Sequence, residues 1–205
     1  MPNWCMTTMF LTGEEDELEK LKALIEKWTS KEYIKNDFGT SWLGNVVLGA
    51  GFSLDDFECR GSIWYLGNVL LNDDDNLPFI QMECSSAWIP MPEMWYAILG
   101  KYAPTCKLYW YAEEPGNILY QTNDIDKLFF KEDYVVEYYP NDKNKDKFTD
   151  IFEEGTDTYT AKQLTEALHK VYPGDSLDNM IQRLDNEELS EGCDISIHEI
   201  ELVDQ

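Results

Sequence analysis

Carboxylates are the side chains best supplied for chemistry in this sequence. Glu83 falls inside an apolar, β-rich run, while Glu113 and Glu114 stand just before Pro115-Gly116. Two carboxyls from different strands can divide acid and base duties when one is held protonated and its neighbour ionised. Trp88 would then supply a stacking wall beside them. The plainer expectation is that Glu83 lies on the solvent face of its strand and that Glu113-Glu114 marks a polar turn, since charged side chains at strand ends are usually solvated. No histidine or nucleophile motif accompanies either position, so no catalytic residue is assigned. Glu83, Trp88, Glu113, Glu114 and Gly116 stand as candidate binding residues.

Cys5, next to Trp4, is the other group with chemical potential. A reactive thiol needs a neighbouring cation or histidine to lower its pKa, and none is near in sequence. Buried cysteine otherwise behaves as a small hydrophobe. Trp4 and Cys5 are therefore expected in the scaffold, locking the start of a central strand against helices. His169 and His198 lack metal-ligand spacing, and there is no CxxC or Cys/His cluster, so neither a metal nor another cofactor is expected. Asp73, Asp74 and Asp75 lack the central glycine and distal glutamate of a calcium loop and read as a turn. The glycines at 39, 44, 49 and 51 lack the Gly-Lys-Ser/Thr ending of a phosphate cradle.

The elements that must position these residues follow from periodicity. Residues 6–11 partly alternate and end at Thr12-Gly13, the pattern of a strand with one buried face. Four acids then crowd a helix start, and Leu18, Leu21, Leu24, Ile25 and Trp28 recur on one helical face. Residues 29–59 form an excursion with one short helix around 43–48. Strands are expected over 62–66 and 68–71, with 79–88 as their hairpin partner, then a helix opened by Pro90 and Pro92, then a strand over 106–112. Strand, helix, strand, strand, helix, strand is the split βαβ order of an α+β, ferredoxin-like fold, an antiparallel sheet with helices on one face. Residues 117–122 and 128–139 supply extra strands that extend this sheet. A capping box at Thr160 to Gln163 starts a C-terminal helix, a second follows around Leu177 to Leu184, and 195–203 is a last strand. The expected division is 1–140, a ferredoxin-like domain with an insertion at about 29–59, and 141–205, a C-terminal α/β extension packed on it.

Composition bounds the setting. With 43% hydrophobic and 14% aromatic residues, the 205-residue chain has enough core-forming side chain to fold. Forty acids against sixteen Lys and Arg give a net charge of −24, which opposes direct nucleic-acid binding, a process driven by cations. Five unpaired-looking cysteines and the lack of a signal-like or spanning apolar run predict a soluble, cytoplasmic protein without membrane attachment.

Several segments together resemble one family across nearly the whole chain. They are Pro2-Asn3-Trp4-Cys5, the stretch from Gly39 to Gly44, Cys59-Arg60-Gly61, Ala87-Trp88-Ile89-Pro90, Tyr111 to Gly116, Tyr120 to Asp124, and His198-Glu199-Ile200-Glu201. In order and spacing they resemble the YubB-like proteins with a ferredoxin-like domain, found on phages, plasmids and other mobile elements. The resemblance implies a fold and a mobile-element setting, and it carries no reaction, cofactor or catalytic residue. The function expected is therefore that of a non-enzymatic accessory protein binding an unidentified protein near the sheet edge or the Glu113 to Gly116 turn. Two alternatives stay open, an acidic nucleic-acid mimic acting on a host DNA-binding or defence protein, and a small carboxylate-dependent hydrolase.

Overall fold

The computed structural model describes residues 3–33, 37–72, 76–140, 147–186 and 194–204. Pro2, the expected turn at Asp73 to Asp75, residues 141–146 of the expected interdomain connection, and Cys193 lie outside them. The chain is α+β, with five α-helices among the described residues, and it divides into two compact units, Met1–Ile125 with Val203–Gln205, and Asp126–Leu202. The expected boundary at 140 is thereby corrected to 125/126. The change of core precedes the strand at Tyr134–Tyr139 and does not follow the change in composition after Tyr139.

The first unit is built on β1 (Trp4–Thr12), whose alternation sends Cys5, Thr7, Met9 and Leu11 into the core. Helix α1 (Glu15–Trp28) follows, its first turn acidic and its Leu18, Leu21, Ile25 and Trp28 buried. The excursion contains α2 (Leu43–Gly49), as expected, and leads to β2 (Gly61–Leu66) and the two-residue β3 (Leu70–Leu71). Then come β4 (Pro78–Ala87), α3 (Pro92–Tyr102), β5 (Lys107–Glu114) and β6 (Leu119–Thr122). Their sheet runs β6-β5-β1-β4-β2, with β3 also on β4, and each of these pairings is antiparallel. Met9 of β1, Met82 of β4 and Trp110 of β5 are in register, and they share one apolar cluster with the buried faces of α1, α2 and α3. A fully buried Leu or Ile in such a cluster contributes roughly 1.5–3 kcal/mol, so this one-sided packing carries the unit.

Two glycines of the excursion have packing reasons. The indole of Trp42 covers Gly44 and that of Trp28 covers Gly49, so that an added Cβ would lie 2.3 and 2.2 Å from the respective rings. Asn45 Nδ2 donates to the Gly39 carbonyl at 2.8 Å and ties off the turn before α2.

In the second unit β7 (Tyr134–Tyr139) is the centre of a sheet ordered β8-β7-β9, with β8 (Gly155–Tyr159) and β9 (Asp194–Glu199) antiparallel to it. Residues 128–139 are thus not an extension of the first sheet. Only 134–139 is a strand, and it organises a separate core of Val136, Tyr138, Phe148, Phe152, Leu164 and Met180, among others. Helix α4 (Ala161–Leu168) begins at the expected capping box, with Gln163 N donating to Thr160 Oγ1 at 3.2 Å and Thr160 N to Gln163 Oε1 at 2.9 Å. Helix α5 (Leu177–Asn186) brings Arg183 over the Tyr172 ring at 4.6 Å, and Lys147 Nζ lies 4.7 Å from the centre of the same ring.

Candidate functional site

Because neighbouring strands are antiparallel, the starts of β1 and β2 and the ends of β4 and β5 fall at the same end of the first sheet. That end collects most of the distinctive segments. Trp4 faces Ala87 in the β1–β4 ladder, and Gly61 faces Ser86 in the β2–β4 ladder. Ala87 N donates to the Arg60 carbonyl at 2.8 Å, and Trp88 N to the Asn3 carbonyl at 3.0 Å. Met6 faces Glu113, and a Cβ added to Gly116 would sit 2.4 Å from Asn3 Nδ2. Trp42 joins them by bridging to Ser62 and donating its indole hydrogen to the Cys59 carbonyl at 2.8 Å.

The candidate carboxylates do not converge. Glu83 and Glu113 lie on the face opposite the helices, with β1 between their strands and a two-residue offset in register, Glu83 on Thr8 and Glu113 on Met6. At ordinary strand spacing and rise this separates their Cα atoms by about 12 Å. Glu83 accepts from Gln81 at 3.2 Å and Glu113 from the Tyr111 hydroxyl at 3.2 Å. Glu114 points to the other face and is buried. The expected polar turn at Glu113-Glu114 is therefore corrected: β5 continues through both residues, pairing them with Tyr120 and Leu119. Glu114 Oε1 then accepts from Gly116 N at 3.0 Å and closes the following turn, which gives Gly116 a structural reason.

Trp4 is also corrected. It is 49% exposed, because the alternation that buries Cys5 sends its neighbour to the opposite face. Cys5 is in the core as expected, and burial pushes its thiol up to about 11. Burial likewise holds Cys59 at about 11 and Cys106 at about 12, so these thiols stay neutral near pH 7. His169 bonds to the Asp175 carbonyl through Nε2 at 2.9 Å, and His198 sits opposite Val135 in β9. Among the described residues no three His, Cys, Asp or Glu side chains gather as a metal site would require, and no helix is long and apolar enough to cross a membrane.

What this end does present is exposed apolar surface on a costly backbone. Trp88, after β4, has φ +75° and is 44% exposed; Ile118, after the β5 turn, has φ +54° and is 64% exposed. Bulky and β-branched residues rarely adopt this left-handed conformation, which costs about 1–3 kcal/mol. Among the described residues, Glu114 Oε2, buried at the same end, has no hydrogen-bond partner. Ile89, next to Trp88, is 62% exposed.

Two clefts flank this segment. One, of about 280 Å³, is walled by Phe57, Arg60, Trp88, Met91 and Met94. The other, of about 440 Å³, is walled by Pro92, Tyr96, Trp110, Leu119 and Val203, and Ile89 and Pro90 border both. Nothing in the sequence marked Tyr96 as part of a surface feature. It is half-buried beside the apolar face of α3, and its hydroxyl is placed by Asn123, whose Nδ2 donates to it at 3.1 Å.

Comparison with protein-family models, with curated proteins and with solved structures finds no match for this chain.

Proposed function

We propose that this chain is a non-enzymatic interaction protein of a mobile genetic element, working in the cytoplasm, and that the sheet end carrying Trp4, Trp88, Ile89 and Ile118 is its contact surface. The observation that carries the reading is the pair of left-handed, exposed residues Trp88 and Ile118 on either side of exposed Trp4. A sequence selected only for folding has no reason to combine backbone strain with solvent-exposed apolar side chains at adjoining positions. Local violations of this kind concentrate where a surface is used. Large aromatic and aliphatic side chains at such a surface are the usual anchors of a protein interface.

The order β5-β1-β4-β2, with α1 and α2 in the connection from β1 to β2 and α3 in that from β4 to β5, supports a ferredoxin-like, split βαβ reading of the first unit. The resemblance to YubB-like proteins rests on segments of which most in the first unit gather at one end of its sheet, which favours a shared surface over scattered coincidence. The separation of Glu83 from Glu113 weighs against the carboxylate hydrolase.

The test is affinity capture from the native host with the wild-type chain and with a Trp4→Ala/Trp88→Asn/Ile118→Asn variant of unchanged circular dichroism. A protein recovered with the first and lost with the second is the expected result. Recovery of the same proteins by both would defeat the assignment of this surface.

A further inference from the structure

The two clefts beside Ile89 and Pro90 point to a more specific occupant than an unspecified protein surface. They share Ile89, Pro90 and Glu93 as lining at the start of α3, so an extended segment laid across these residues would enter both and use them as a single groove. Much of its lining is apolar: Phe57, Met91 and Met94 in the first cleft, Pro92, Trp110 and Leu119 in the second. Its charged lining is unbalanced. Asp56 and Glu58 line the first cleft, Asp204 the second and Glu93 both, against the single cation Arg60.

Resting on the interaction reading above, we propose that this groove receives an extended segment of a partner protein in which Lys or Arg residues alternate with large apolar ones. Alternation is what an extended chain offers: side chains on one side fill the apolar walls while those on the other reach the acidic rim. Tyr96 suits the same occupant. Its hydroxyl oxygen accepts from Trp110 Nε1 at 3.2 Å and Asn123 Nδ2 at 3.1 Å, which directs its own hydrogen toward an acceptor such as a peptide carbonyl. A nucleic-acid strand is the wrong charge for this rim, and a small anion would meet one arginine among four carboxylates.

The experiment uses the full chain labelled with ¹⁵N and three synthetic ten-residue peptides with the same Leu and Trp positions, the other positions being Arg, Gln or Glu. The Arg peptide is expected to shift the Trp88 and Trp110 indole resonances and the amides of Ile89, Met91 and Leu119, and to bind at least tenfold more tightly than the Glu peptide. Its affinity should fall at least threefold between 50 and 300 mM NaCl. Glu93→Gln should weaken the Arg peptide about threefold or more, and Trp88→Asn should weaken all three peptides. Equal binding of the three peptides in the groove overturns the basic-segment inference while leaving the contact surface intact. Shifts scattered over the acidic surface and unaffected by Trp88→Asn overturn it as well, as does the absence of any shift. In either case, capture with the triple variant decides separately whether the interaction reading survives.

Discussion

Asn123 holds three groups with one side chain. Its Oδ1 accepts from Trp110 N at 2.7 Å, while Nδ2 donates to the Leu108 carbonyl at 2.8 Å and to the Tyr96 hydroxyl. The bonds to Trp110 N and the Leu108 carbonyl are buried, so breaking them leaves backbone groups that water cannot reach. Asn123→Ala is expected to cost about 2–4 kcal/mol in urea denaturation, since a stranded buried donor or acceptor costs ~1–3 kcal/mol and more than one is stranded. Trp4→Ala, by contrast, should cost only about 1 kcal/mol, because half of the ring is already in solvent. Glu17 carries a pH signature. The Thr105 hydroxyl donates to it, with Cys106 Sγ adding a contact at 3.5 Å, and these hold its carboxyl below the usual range. A depressed folded-state pKa stabilises above the unfolded value and is lost as pH falls through the folded one. Glu17→Gln should therefore flatten the loss of stability below about pH 4.5, read as melting temperature against pH.

At the scale of elements, legibility followed how much of each segment's fate was local. α1 announced itself through its acidic first turn and apolar stripe, and α4 through a capping box, because those signals are complete within a few residues. β8 has residues Gly155, Thr156, Asp157, Thr158 and Tyr159, with no apolar alternation, and it exists because β7 offers it an edge. β7 itself was visible as a strand but not as the centre of a second sheet, since a strand's neighbours are chosen by tertiary packing. The contact surface was half legible: the segments were distinctive, but their meeting depends on ladder direction, and the left-handed backbone at Trp88 and Ile118 has no residue-type signal. That backbone makes its own prediction. Ile118→Asn keeps the turn with a residue that tolerates positive φ and gives up little burial, so it should leave stability unchanged or raise it by about 0.5–1 kcal/mol. Gly61→Ala should do the reverse. Its Cβ would lie 2.0 Å from the Ser85 carbonyl oxygen across the β2–β4 ladder, and a loss of about 3 kcal/mol is expected from this overpacking.

Across the whole molecule the excess of acids repels itself at neutral pH, and the folded state concentrates that charge more than the unfolded chain does. Raising NaCl from 20 to 500 mM at pH 7 should therefore increase the melting temperature, whereas a protein held mainly by surface ion pairs would lose it. One feature of the chain's path bears on how such a molecule is made and altered. Val203, beyond the last residues of the second unit, donates its amide to the Thr122 carbonyl at 2.9 Å and so belongs to the first. Residues 126–202 are thus a cassette whose two attachment points, Ile125 and Val203, are separated in the first unit by little more than one strand end. A ribosome completes that unit only after the cassette has emerged, and a Gly/Ser tether in place of 126–202 should leave a shortened protein that still makes the Val203 to Thr122 bond and unfolds cooperatively in urea.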